Sequence, residues 1–330
     1  MDSVPIIDVA PLRDGSAAGV ATVAAAIGAA ARDIGFFAIR NHGVPARTRA
    51  EMFAAAERFF ALPLEQKRRI SMERSAAYVG YAQLALEKLD PARPGDHKES
   101  FDMCRERAAD DSELLAGKPF VARNQWPELT GFREPVLAYF DAVQTLALEL
   151  HRAIAVDLGI DPHAFVRNFE QPLTAMRVLH YPPHPGTFDG VLYGAAPHTD
   201  YGSLTLLAQD ETGGLEVRRR DGTWTAVDPL PDTFVCNIGD ALMRWTNDAY
   251  VSTPHRVVNR SGRERYSAAF FCEPNGDAPI AAIPSCTSAA NPPKYAPIAF
   301  ADLLRSRVEP TYAREHVRRD AAASSGLRSA

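Results

Sequence analysis

Four cysteines in 330 residues are too few for a disulfide framework, and none of them (Cys104, Cys236, Cys272, Cys286) stands in a C-x-x-C pair. That excludes a thiolate zinc module and points to a reducing compartment, the cytoplasm. Long apolar runs are missing too. The alanine-rich stretch 17–31 is too short and too weakly apolar to span a bilayer, and reads as a helix packed on a core. The N-terminus carries Asp2, Pro5, Asp8 and Arg13 where a secretory signal needs an unbroken apolar segment. An excess of positive charge is likewise absent: the formal net charge is −5 with both signs interspersed, so no basic face offers itself to nucleic acid. These absences leave an intracellular chain with no membrane or nucleic-acid partner. It is expected to act on a small molecule, as a monomer or simple homo-oligomer.

What is present changes texture along the chain. Residues 4–9 read as a short strand, 17–33 as a helix, 35–40 as a buried strand and 46–61 as an amphipathic helix. Asn41-His42-Gly43-Val44-Pro45 closes the second strand, and Pro63 opens another helical turn. Residues 74–125 are polar and irregular, and are expected to be loop-rich; the pattern from 133 to 158 is helical again. Beyond residue 170, β-rich runs at 173–181, 203–209, 214–217, 224–227, 233–238, 254–259 and 266–272 alternate with Gly, Pro, Asp and Asn. Many short strands at this spacing suggest a sandwich or jelly roll. The expected segments are 1–125 (an α/β N-terminal region), 126–170 (helical support), 171–275 (the β core) and 276–330. The last holds a helix near 299–307 and a small, polar tail past 318 that is expected to be disordered.

Chemistry concentrates in Pro197-His198-Thr199-Asp200-Tyr201-Gly202. On a strand, residues i and i+2 share a face, so His198 and Asp200 can point together into the mouth of a jelly roll. His255, in Thr253-Pro254-His255-Arg256-Val257, offers a third ligand from another strand. Two imidazoles and one carboxylate on one face of a metal leave adjacent positions open, as non-haem Fe(II) oxygenases require. Ten residues later Arg265 and Ser267 form another i, i+2 pair. A guanidinium fork with a hydroxyl beside it suits the far carboxylate of a dicarboxylic acid whose other end chelates the metal. His42 is better read as part of a turn. His180 and His184 are separated by Pro182 and Pro183, which rules out a helical ligand pair.

The order H-x-D, distal His, R-x-S resembles the isopenicillin N synthase-like branch of the Fe(II)/2-oxoglutarate-dependent dioxygenases. The likeness continues through residues 33–45, through Phe59-Phe60-Ala61-Leu62-Pro63 with Lys67, and through Tyr181-Pro182. It extends to Gly213-Gly214-Leu215, Asn237-Ile238-Gly239-Asp240 and Phe271-Cys272-Glu273-Pro274, covering about residues 4–275 in all. The resemblance implies a mainly β protein with flanking helices, whose core is a double-stranded β-helix (jelly roll, cupin-like). It also implies Fe(II), 2-oxoglutarate and O2 as cofactor and cosubstrates. The expected reaction is oxidation of a small metabolite, as in secondary metabolism, with release of succinate and CO2; hydroxylation is the default, and desaturation or cyclisation are variants. An oxidase of the same branch that needs no 2-oxoglutarate is the alternative.

By the same resemblance Tyr181 helps hold 2-oxoglutarate, with Arg265 and Ser267 on its far carboxylate. Leu179 replaces an Asn found in several plant members, which removes one polar contact. Arg177, at i−4 from Tyr181, shares its face, and Met176-Arg177-Val178-Leu179 resembles a strand whose arginine contacts 2-oxoglutarate in ethylene-forming enzymes. Phe271 and Glu273 are expected on the substrate side, joined by Tyr81 and Phe101 from the segment that covers the mouth.

Overall fold

A computed structural model of the chain describes residues 4–311 apart from 91, 185 and 189. The expected disorder past residue 318 lies outside the described residues. In chain order the elements are β1 (Ile6–Asp8), α1 (Ala17–Asp33), β2 (Phe36–Arg40), α2 (Ala46–Phe60), α3 (Leu64–Arg68), β3 (Gly80–Ala82), β4 (Glu99–Cys104), α4 (Ser112–Leu115) and α5 (Arg133–Asp157). Then follow α6 (Pro162–Val166), β5 (Ala175–Tyr181), β6 (Ala195–His198), β7 (Leu204–Gln209), β8 (Leu215–Arg218), β9 (Trp224–Ala226) and β10 (Phe234–Ile238). The last are α7 (Asp240–Trp245), β11 (His255–Val257), β12 (Arg265–Cys272), β13 (Pro279–Ile280), β14 (Ile298–Ala299) and α8 (Phe300–Thr311). No helix among the described residues is long and apolar enough to cross a membrane.

Eight strands form one sheet in the order β1-β2-β10-β7-β12-β5-β4-β3, and four form a second in the order β6-β11-β8-β9. Period-2 alternation divides the large sheet's side chains between two environments. Its outer face (Phe37, Ile39, Met176, Val178, Leu206, Phe234, Cys236, Phe270) joins α1, α2 and α5 in the main core. Its inner face (Phe36, Ala38, Leu179, Val235, Ala269) meets Ala195, Leu215, Val217 and Val257 of the small sheet in a second core.

The helices dock through small residues and specific partners. Ser16 caps α1 by accepting from the Gly19 N–H (3.0 Å), and the helix buries Val23, Ala24, Ile27, Ala30 and Ala31. Gly28 lets α1 approach α5, because a Cβ there would lie 2.0 Å from Asp157 Oδ1. The same Asp157 takes a bidentate pair of hydrogen bonds from Arg32 at 3.1 and 2.6 Å. Gly35 turns the chain from α1 into β2 with φ +70, where a Cβ would meet the Val251 carbonyl at 2.0 Å.

The span 74–125 is loop-rich, as expected, but it also carries strands the sequence pattern did not announce: β4, buried along its whole length, pairs with β5 from Glu99↔His180 to Cys104↔Ala175. Phe101 and Met103 face the outer core, whereas Ser100 and Asp102 alternate with them and are also buried. The inward side chains are polar because Asp102 reaches the cavity, where it accepts from Arg177, and Ser100 donates to Asp102 (2.6 Å), so the strand lacks the apolar signature of its neighbours.

Candidate metal centre

The two sheets bring the predicted ligands together. His198 is the last residue of β6 and His255 the first of β11, and their Cα atoms are direct cross-strand partners. Their rings lie 4.3 Å apart between centroids. Asp200 is not on the strand, as its spacing from His198 predicts, but in the turn beyond it. Its carbonyl accepts the Asp240 N–H (2.8 Å), which ties that turn to the start of α7. Asp200 Oδ1 stands 3.8 Å from His198 Nε2 and 3.7 Å from His255 Nε2. The three ligand atoms lie within 4.8 Å of one another, and no other group of three or more His, Cys, Asp or Glu converges in this way among the described residues.

Neighbouring groups fix which atoms face inward. His198 Nδ1 donates to the Ala196 carbonyl (2.8 Å) and His255 Nδ1 to the Thr253 carbonyl (3.2 Å), so both rings present Nε2. Asp200 Oδ2 accepts from Thr205 Oγ1 (2.5 Å) and Asn237 Nδ2 (2.6 Å), which leaves Oδ1 as the ligand atom. Burial, then the neighbouring His255, hold the His198 pKa down to about 3, partly opposed by Asp200; the ring stays neutral with its lone pair available. Burial works against the Asp200 carboxylate, but the two imidazoles, Asn237 and Thr205 outweigh it and keep its pKa below the usual range. Two imidazole nitrogens with one carboxylate oxygen fit a ferrous ion in donor type and number. Thr205 and Asn237 carry no ligand signature of their own; Thr205 follows Asp200 by five residues, and the register of β7 on β10, Asn237↔Thr205, brings Asn237 beside it.

Arg265 is wholly buried and held from every side. Its Nε donates to the Gly213 carbonyl (2.6 Å), and its terminal nitrogens donate to Ser267 Oγ (3.2 Å) and Gln209 Oε1 (2.9 Å). Its guanidinium lies 4.6 Å from the Tyr181 ring centre. Gln209 escaped the sequence reading because nothing local marks it; it arrives by pairing with Ser267 across β7 and β12. Arg265, Ser267 and Tyr181 line one cavity with the three candidate ligands, Arg177, Phe271 and Glu273.

Arg177 sits apart from that group. It lies four residues from Tyr181 on β5, about 13 Å at roughly 3.3 Å per residue. Its Nε donates to Asp102 Oδ1 (2.5 Å) and a terminal nitrogen to Glu87 Oε1 (2.8 Å), while Glu87 also meets Lys98 Nζ at 2.7 Å. Glu273 is 7% exposed, and burial with the nearby Asp200 pushes its pKa up to about 8 against the pull of Arg177.

Two expected substrate residues are corrected. Tyr81 faces the outer core, where its hydroxyl donates to Glu99, itself bound by Lys67 (2.7 Å) and His180 (2.8 Å). Phe101 is enclosed by Phe59, Phe132 and Trp126, with ring centres 5.5, 5.1 and 5.7 Å away. Both occupy the wrong parity on their strands to reach the cavity. Leu304, Val308 and Thr311 of α8 line it instead.

The likeness to known proteins agrees with this geometry. A family model described as the 2OG-Fe(II) oxygenase superfamily matches residues 172–274, and one described as non-haem dioxygenase in morphine synthesis N-terminal matches residues 4–129. The 2-oxoglutarate-Fe(II) type oxidoreductase hxnY of Emericella nidulans is 36% identical over 316 residues, covering 94% of this chain and 90% of that protein. Homoarginine-6-hydroxylase 2-ODD-C23 of Glycine max is 35% identical, covering 88% of this chain and 91% of its own. The crystal structure of a full-length Neurospora crassa protein in complex with alpha-KG and thymine matches with a TM-score of 0.82 at 33% identity, covering 93% of this chain and 97% of that one. The chain belongs to the isopenicillin N synthase-like Fe(II)/2-oxoglutarate-dependent oxygenases, oxidoreductases whose cofactor is Fe(II) and whose cosubstrate is 2-oxoglutarate.

Proposed function

We propose that His198, Asp200 and His255 hold Fe(II), and that the chain hydroxylates a small organic metabolite with release of succinate and CO2. The observation that carries this reading is convergence: two Nε2 atoms and one carboxylate oxygen meet within 4.8 Å, in a cavity whose wall also carries the buried Arg265. We read the two facing sheets as a double-stranded β-helix, with the site in its mouth. When bound, iron and 2-oxoglutarate supply the oxidising power for a C–H bond. The protein's own part is placement. Arg265 and Ser267 hold the far carboxylate of 2-oxoglutarate against Tyr181, with Gln209 and the Gly213 carbonyl fixing the guanidinium. Thr205 and Asn237 keep Asp200 to one free oxygen, so the chain would offer a bound metal three donor atoms and leave its remaining positions to 2-oxoglutarate and O2. Phe271 and Glu273 lie on the substrate side.

Arg177, expected on a carboxylate of substrate or cosubstrate, we assign to the substrate end: it lies about 13 Å along the strand from Tyr181, at roughly 3.3 Å per residue, and its guanidinium is held there by Asp102 and Glu87. The test is oxygen uptake by the Fe(II)-loaded protein with and without 2-oxoglutarate, alongside a succinate assay. Succinate formed in step with 2-oxoglutarate-dependent uptake supports the reading. Uptake that ignores 2-oxoglutarate would instead mark an oxidase of the isopenicillin N synthase type.

A further inference from the structure

The substrate end of the cavity carries a carboxyl with nothing to bind. Glu273 lines the cavity and is 7% exposed, yet its carboxyl makes no hydrogen bond or ion pair among the described residues. Room for it comes from the metal-bearing turn: a Cβ on Gly202 would lie 2.9 Å from Glu273 Cγ. Its oxygens are still open to the cavity, so a ligand that covers them without donating a hydrogen bond would leave a buried acceptor unpaired, and one that donates would not.

The neighbouring cation does not invite an anion. Arg177 is bound by Asp102 (2.5 Å) and Glu87 (2.8 Å), and Lys98 is bound by Glu87 (2.7 Å) and Asp96 (2.9 Å). An incoming carboxylate would compete with these resident carboxylates and would face both Glu273 and Asp200. Between Arg177 and Phe271 the sheet floor is low. Arg177 lies opposite Ala269 and Phe271 opposite Ala175, so two alanines open a recess flanked by a guanidinium and an aromatic ring.

Resting on the function proposed above, we propose that the substrate is an uncharged small molecule that presents an N–H or O–H donor to Glu273, and that this end of the cavity rejects carboxylic acids. Four probes built on one ring separate the chemistries: benzamide (N–H donor), benzyl alcohol (O–H donor), toluene (no donor) and benzoate (anion). Their binding is read at about pH 9, where the Glu273 carboxyl, raised to about 8, is ionised, by thermal shift of the metal-free protein and by perturbation of the visible charge-transfer band of the anaerobic Fe(II)–2-oxoglutarate complex. Either benzamide or benzyl alcohol should bind more tightly than toluene, and at least about tenfold more tightly than benzoate. Glu273→Gln, which keeps the shape but can donate to an anion, should shrink that ratio to about threefold or less. Asp102→Asn should improve benzoate alone, by loosening one competitor for Arg177. Benzoate binding as well as both donors, a ratio unchanged in Glu273→Gln, or no binding by any probe overturns the proposal. Absence of the charge-transfer band is a different failure: it sinks the iron and 2-oxoglutarate reading while the metal-free thermal shifts still decide the donor preference.

Discussion

The two ends of the cavity are built in opposite ways. Around Arg265 everything is closed: each guanidinium nitrogen has a partner, and the residues come from β5, β7 and β12, adjacent strands of one sheet, and from the Gly213 turn ahead of β8. Around Glu273 and Arg177 the wall is composite, drawing on the 78–104 segment, β4 and α8, and one carboxyl is left unpaired. The closed end would serve a cosubstrate of fixed shape. The composite end can change loop by loop without disturbing the sheet, which is where a family with varied substrates has its freedom.

The largest expected effect is at the metal, which both ends share. Asp200→Ala should abolish Fe(II) binding under anaerobic titration, because only two imidazoles would remain; retained stoichiometric binding would remove Asp200 from the ligand set. Next comes the contrast between the arginines. Arg265→Ala should weaken 2-oxoglutarate binding by about 2–5 kcal/mol, whereas Arg177→Gln should change it by less than about 0.5 kcal/mol. Equal losses in the two variants would dissolve the distinction between the ends. A smaller effect is expected at the Asp200 anchors: Asn237→Ala or Thr205→Val should lower Fe(II) affinity about 10–100-fold while the fold persists by circular dichroism.

The same contrast explains what could be read without coordinates. The closed end depends on i, i+2 pairs and on strands with ordinary alternation, so His198, His255, Arg265 and Ser267 stood out by spacing alone. Asp200 stood out too, although for an incomplete reason, since its position depends on a turn tied to α7. Parity decided the failures. Tyr81 and Phe101 lie in the segment that supplies the substrate wall, but on strands whose existence the polar inward face concealed. Without β4 in register, nothing distinguishes Phe101, which is buried in the core, from Asp102, which reaches the cavity. Gln209 and Asn237 illustrate the other limit: each gains its role from a partner far along the chain, 56 residues from Gln209 to Arg265 and 37 from Asn237 to Asp200, by sheet register.

The last prediction concerns the unpaired carboxyl itself and is read in stability, not in binding. Glu273 has its folded-state pKa raised from 4.5 to about 8, chiefly by burial. The folded protein therefore holds this proton more tightly than the unfolded chain does. Its contribution to stability is fully present below pH 4.5 and is lost as pH rises through about 8. Glu273→Gln has no proton to lose and escapes that penalty. In metal-free protein, the Tm of the variant minus that of the wild type should grow steadily between about pH 5 and about pH 8, then level off. Differential scanning calorimetry across that range is sufficient, since groups common to both proteins cancel in the difference. A flat difference would mean that Glu273 has a partner when folded. The open end of the cavity would then be as closed as the other, and the contrast between the two would fail at the residue on which it most depends.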